Sequence, residues 1–385
     1  SGAYIMTEYT ADQEKVWVKN EAYWDAANVD LDKVTVIAVK DTESTKELFE
    51  RGELDYCTLV GTQPIKENEN GNEYMFQTDP GNSAYCLYFN SECSDPDTAK
   101  LMANENFRQA MFYGWNKFDY VEQSDPLNPE AIYAEGFTGR GFVFTSDGTD
   151  YCDLGNLANY GPDMYDQAKG MEYWEKAKAE LEGQVTWPVA IPWYIKAGNE
   201  TASNTAQILK YTLEETFGAD YITLKIGEYN TSFRSEVQAT NAHGMMVAGW
   251  GHDYRDPMNV MGCLDPGLAG YMNNVSPNGY SHWDYPEFVN MYNEACAIID
   301  DMDARYTAFA NAEAYLLDHA YYMPIYCSGA TYRMTRYNPY SRLHGYSGGE
   351  GSSYKKLTVY DHILTAQEVA NFKAEWEAAR ANSTK

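Results

Sequence analysis

Residues 244–257 do most to limit what this chain can become. Gly244-Met245-Met246-Val247-Ala248 is an apolar run of strand length. Gly249-Trp250-Gly251-His252-Asp253-Tyr254-Arg255-Asp256-Pro257 follows it without a break. Two glycines within three residues and a proline keep the second part out of a helix interior. The apolar run predicts one buried strand. It delivers an indole, two carboxylates, a guanidinium, a phenol and an imidazole to a loop at its end, where α/β proteins hold small ligands. That set of groups suits a ligand that is cationic at one end and apolar or amide-like beyond it.

The remainder supplies the α/β frame. Strand-like sequence occupies 4–20, Val34–Val39, Ser83–Asn90, Ile222–Ile226 and Tyr322–Tyr326. A short helix after residue 40 takes Thr42 or Ser44 as its cap. Helices are predicted from about 104, with Phe107, Met111 and Trp115 on one face, and over 165–182, 201–217, 231–241, 284–300 and 303–319. The last, from Thr365 to Arg380, opens with Thr365 and Glu368 in capping-box spacing. Residues 120–163 and 262–283 are expected to be loops. A chain of 385 residues exceeds one average core, so two lobes are expected.

The balance of 28 basic against 57 acidic residues repels phosphate backbones, which excludes nucleic acid as a partner. The same charge keeps the chain off anionic bilayers unless it is tethered. Seven scattered cysteines without a C-x-x-C pair argue against a zinc ribbon or redox motif. Their odd number leaves at least one thiol free or bonded to another molecule, and most are expected to be buried and inert. Six dispersed histidines argue against direct metal ligation, and no cofactor is called for. No stretch has the length of a membrane-spanning helix. The chain opens directly into strand-like sequence, as expected of a processed product or a piece of something longer.

Several motifs together resemble the family-5 extracellular solute-binding proteins, the peptide- and nickel-type receptors of ABC importers. Gly2-Ala3-Tyr4, Asn20-Glu21-Ala22-Tyr23-Trp24-Asp25 and Leu31-Asp32-Lys33-Val34 look like that family's G-P-Y, N-x-x-Y-W and L-D-K-V stretches. Gly52-Glu53-Leu54-Asp55 matches G-E-x-D, and the segment from Asn106 to Tyr113 is similar to its V-R-Q-A-L helix. Trp250 to Pro257 matches W-x-x-D-Y-x-D-P, and Met323-Pro324-Ile325-Tyr326 matches x-P-L-Y. The motifs stand in family order along nearly the whole chain.

The resemblance implies a periplasmic-binding-protein-like α/β fold of the class II, or cluster C, type, with two lobes joined by a hinge. Lobe I would be incomplete (residues 1–100 and 326–385) and lobe II would span 101–325. It further implies a monomeric receptor without catalysis that delivers oligopeptides to ABC permease subunits. Such receptors are extracellular or cell-surface lipoproteins, or periplasmic in a two-membrane bacterium, with a lipid anchor on an N-terminal part not in this chain.

Carried over residue by residue, Asp253 takes the family's role of pairing with the peptide α-ammonium, a contact that a water-excluding cleft strengthens. Trp250 would form an apolar wall, with Tyr254 and Arg255 as further lining. Tyr88 and Asn90, on the strand resembling the one near cleft and hinge, are further ligand-binding candidates. A loop cap or surface ion pair is the other reading of Asp253, and core packing that of Trp250. Asp256-Pro257 reads as turn chemistry, His252 as a solvated side chain, and Arg108 as an interior or hinge ion pair. Some dipeptide receptors carry an arginine where this chain has Glu200-Thr201-Ala202-Ser203, which favours longer peptides or another ligand class. Two alternatives stay open. One is the same receptor binding an oligosaccharide or other non-peptide solute. The other is a secreted glycoside hydrolase with Asp253 and Asp256 as its carboxylate pair.

Overall fold

The computed structural model describes residues 2–39, 41–265, 279–342 and 354–383. In chain order its strands are β1 (Tyr4–Thr10), β2 (Glu14–Lys19), β3 (Lys33–Ile37), β4 (Tyr56–Thr58), β5 (Phe76–Gln77), β6 (Ala84–Phe89), β7 (Val189–Lys196), β8 (Ile222–Tyr229), β9 (Met245–Gly249), β10 (Tyr322–Cys327) and β11 (Tyr332–Thr335). The chain divides into two compact units, one of residues 1–79 with 329–385 and one of residues 80–328. The first division falls before β6, not near residue 100. The reason is that β6 has both of its edges paired inside 80–328, with β9 on one side and β10 on the other.

The unit of 1–79 and 329–385 holds two small antiparallel sheets, ordered β1-β2-β3 and β4-β11-β5. The helix Thr45–Glu50 follows a single 3-10 turn. Neither Thr42 nor Ser44 caps by side chain; the Asp41 carboxylate does so instead, accepting from Glu43 N at 3.0 Å. At the other end of the sequence, Glu368 N donates to Thr365 Oγ1 at 3.2 Å. Thr365 N donates back to Glu368 Oε2 at 2.8 Å, the reciprocal pair that the sequence spacing implies for the helix Ala366–Ser383.

Residues 80–328 are built on two sheets. One is the antiparallel trio β10-β6-β9. The other is the parallel pair β7 and β8, joined by the helix Glu200–Phe217 as a βαβ crossover. β7 had no counterpart in the sequence reading: Pro188 before it and Pro192 within it break the expected strand pattern. The core is an aromatic column of Phe89, Phe107, Trp174 and Phe217, each buried, with neighbouring rings tilted edge to face at 5.3 to 6.2 Å. Helices Glu105–Gly114 and Gln167–Leu181 lie against each other through Gly114 and Gly170. A Cβ on Gly170 would stand 2.2 Å from Gly114 Cα, so no side chain fits there. Trp115 lies one residue beyond its helix, yet it is buried and donates from Nε1 to Thr212 Oγ1 at 3.0 Å.

All seven cysteines are free; six are buried and Cys296 is half-buried. Burial pushes the thiols of Cys57, Cys93 and Cys327 up to about 11. No helix of the described residues is long and apolar enough to cross a membrane.

Candidate functional site

The loop after β9 starts from the edge of a sheet, not from its buried centre. β9 pairs with β6 on one side only, and beyond Met245 its residues are half-buried. β9 is antiparallel to β6, so the strand-end geometry of parallel α/β sheets does not apply here. What aims the loop is a local close approach. Tyr85 of β6 stands opposite Gly249, and a Cβ on Gly249 would lie 2.9 Å from the Tyr85 ring. The far side of Tyr85 stacks on Tyr326 of β10, rings 5.1 Å apart and within 2° of parallel. Glycine at 249 therefore lets the chain pass beneath an aromatic shelf and turn out at Trp250, which is half-buried.

Asp256 fixes the other end of the loop. Its Oδ1 accepts from Met258 N at 2.8 Å and caps the short helix Pro257–Met261. Its two oxygens also take a forked pair from Arg305, Nε to Oδ2 at 2.9 Å and Nη2 to Oδ1 at 3.2 Å. Arg305, on the helix Met302–Asp318, is only 7% exposed at its side chain. Its Nη1 donates to the carbonyls of Ala295, Cys296 and Ile298 at 2.9 to 3.1 Å, where the helix Pro286–Ala297 ends. One guanidinium thus ties the loop to two helices and satisfies carbonyls that a helix end leaves without partners. The turn role of Asp256-Pro257 was legible in sequence, but Arg305 was not, because the pair spans 49 residues without a local pattern.

Between these anchors lie the proposed ligand groups. Asp253, Tyr254 and Arg255 are exposed, Tyr254 at 44%. Asn259 braces Asp253: its Oδ1 accepts from Asp253 N at 2.8 Å and its Nδ2 donates to Asp253 Oδ2 at 3.3 Å. This brace fixes the orientation of the carboxylate. His252 is not simply solvated. Its Nε2 lies 2.8 Å from Asn82 Oδ1 and its ring 4.3 Å from that of Phe142. Burial holds its pKa below the ordinary histidine value, helped by Arg255 and opposed by Asp253, which favours the neutral ring.

Tyr88 and Asn90 do not join this group. Tyr88 is 1% exposed, in the β6 row facing Tyr280 and Tyr322, and burial drives its phenol upward. Asn90 is fully buried and closes the end of β6: Nδ2 donates to His243 O at 2.9 Å and Oδ1 accepts from Glu92 N at 3.1 Å. Neither offers surface to a ligand. Among the described residues Arg108 likewise has no ion-pair partner. It donates to the carbonyls of Met102, Ala103, His319 and Ala320 at 2.8 to 3.2 Å and lies 4.4 Å over the Trp283 ring. Part of the expected 262–283 loop, residues 266–278, lies outside the described residues. Among the described residues no group of three or more His, Cys, Asp or Glu side chains is placed to hold a metal ion.

This chain belongs to the bacterial extracellular solute-binding proteins, family 5, whose middle-region model matches residues 1–267. The oligopeptide-binding protein AliB of Streptococcus pneumoniae is 24% identical over 430 aligned residues, covering all of this chain and 66% of its own length. The oligopeptide-binding protein SarA of Streptococcus gordonii is 23% identical, with 100% and 65% covered. The chain thus spans just under two thirds of these curated relatives. The substrate-binding domain of an oligopeptide ABC transporter from Bacillus anthracis superposes with a TM-score of 0.68 at 21% identity, covering 94% of this chain and 65% of that one. Peptide-bound OppA of Listeria monocytogenes superposes at 0.65 with 18% identity, covering 94% and 65%. The fold is therefore the periplasmic-binding-protein-like α/β fold.

Proposed function

We propose that this chain is part of a receptor that captures extracellular oligopeptides and passes them to the permease of an ABC importer, without catalysis. The observation that carries the reading is the Asp253 carboxylate, exposed and braced by Asn259, on a loop clamped by Asp256 and Arg305. Asp253 would pair with the peptide's free amino end, with Trp250 as a wall and Tyr254 and Arg255 as outer lining. Closure of two lobes would trap the peptide. The whole receptor would work as a monomer outside the cell or in the periplasm, held to the membrane by a lipid anchor. The relatives' names, oligopeptide-binding proteins, support a peptide over an oligosaccharide. A hydrolytic pair of Asp253 and Asp256 is disfavoured because Asp256 is committed to Arg305 and to the helix cap.

Titration of the full-length receptor with free and N-acetylated tripeptide-to-hexapeptide mixtures tests this. Acetylation and Asp253→Asn should each weaken binding by about 10- to 100-fold, the range of a charge-assisted hydrogen bond. Equal affinity for the two peptide forms would remove Asp253 from its role. Binding of oligosaccharide in place of peptide would overturn the peptide reading.

A further inference from the structure

His252 stands one residue before Asp253, at a position that the W-x-x-D pattern leaves open. Its ring is held from outside the loop. Nε2 lies 2.8 Å from Oδ1 of Asn82, which precedes β6, and the ring meets the buried Phe142 edge-on at 4.3 Å. Those two partners are themselves joined. Gly139 N donates to Asn82 O at 3.2 Å, and a Cβ on Gly139 would stand 2.7 Å from that oxygen, so the segment 138–142 lies tight against Asn82. Thr138 then donates to the buried Glu313 from N and Oγ1 at 2.9 and 2.8 Å, which fixes the segment to the helix Met302–Asp318. The imidazole thus anchors the middle of the loop as Arg305 anchors its end.

This joint decides which nitrogen can take a charge. An amide oxygen only accepts, so Nε2 carries the proton of the neutral ring and a second proton goes to Nδ1. Within the loop, Arg255 opposes that second proton and Asp253 favours it. Of the groups packed against the ring, Asn82 and Phe142 are uncharged. Close to Phe142, Arg140 is taken up by Glu135 and Asp153 at 2.6 to 3.0 Å, and Asp150 accepts from Gly141 N at 2.7 Å. Asp253 is therefore the carboxylate that both a charged His252 and the peptide ammonium would draw on. We propose that protonation of His252 weakens peptide capture, so that the receptor binds at neutral pH and releases in acid. The inference rests on the role proposed for Asp253. A peptide ammonium on Asp253 offsets the charge that favours the protonated ring. By linkage, the protonated ring lowers the affinity for peptide by the same factor.

The test is titration of the full-length receptor with the free tripeptide-to-hexapeptide mixture at several values between about pH 7 and pH 5, where the α-ammonium stays charged. Wild-type affinity should fall by about 5- to 20-fold across that range. In His252→Gln, whose amide can still donate to Asn82 but does not titrate, the fall should largely disappear. An undiminished fall in His252→Gln, or no fall in the wild type, overturns the proposal. Should His252→Gln not fold, the wild type decides by calorimetry in buffers of different ionisation heat. Binding in the acid half of the range should release protons, and no release overturns the proposal. Preference for free over N-acetylated peptide at neutral pH, without the fall in acid, removes this inference alone. Equal affinity for the two forms at neutral pH removes the role of Asp253 and this inference with it.

Discussion

Arg108 and Arg305 are both buried and both close the ends of helices, but they hold different things. Arg305 shares its charge with Asp256 and so fastens a loop. Arg108 is set among four carbonyls and two aromatic faces, Trp283 and Tyr321, and fastens the ends of the helices Pro96–Ala103 and Met302–Asp318 to each other. Lys117 follows the Arg108 pattern: its Nζ donates to Pro162 O and Pro324 O at 2.9 and 3.2 Å and lies 4.3 Å over the Tyr133 ring. Carbonyl dipoles and ring faces can stabilise a buried cation, but they do not cancel its desolvation as a carboxylate does. Accordingly burial draws Arg108 down to about 10 and Lys117 down to about 8. The anion pins an irregular segment, whereas the dipoles around Arg108 come from the ends of two helices and those around Lys117 from Pro162 in a loop and Pro324 in β10.

The largest effect that could break this contrast is Arg305→Leu. It strands the partly buried Asp256 carboxylate and should cost about 3–5 kcal/mol in chemical denaturation. Arg108→Leu strands only neutral carbonyls, and about 2–3 kcal/mol is expected. If Arg108→Leu costs as much as Arg305→Leu or more, the carboxylate contributes nothing special. Lys117 gives a pH test. Its folded pKa of about 8 lies below the unfolded value of 10.5, so the unfolded state binds more protons between the two. Its contribution to stability therefore rises with pH across that window, by at most about 1.4 kcal/mol per pH unit. Buried thiols and phenols drift the opposite way, so the readout is the difference between wild type and Lys117→Met. A flat difference would mean that Lys117 is no stronger an acid in the folded chain than in the unfolded one. The smallest expected effect comes from a cap without charge. Asn104 Oδ1 accepts from Phe107 N at 2.8 Å, and Asn104→Ala should cost about 1 kcal/mol.

Much of the fold was legible because its signals are local. The β-branched run of β3, the periodic face of Glu200–Phe217 and the Thr365/Glu368 pair each act within one or two turns of chain. β7 was lost to its prolines, and β4, β5 and β11 are too short to show a period. At the candidate site, the loop and the turn role of Asp256 could be read from glycine and proline placement. Arg305 and Asn82, and the shelf of Tyr85 and Tyr326 over Gly249, could not. Each depends on pairing across tens or hundreds of residues, which no window of sequence contains. Tyr88 and Asn90 were misplaced for a related reason. Alternation along β6 says that neighbours face opposite ways, but not that elements on both sides cover the strand.

The cysteines have a practical consequence. With six of seven thiols buried and the half-buried Cys296 held in its protonated form, the native chain offers little to a maleimide. A single cysteine introduced at position 254, where the native tyrosine is 44% exposed beside Asp253, would be the reactive one. On the proposed role of Asp253, a dye placed there would report the arrival of a peptide by fluorescence, with few prior changes needed to the chain's own sulfur.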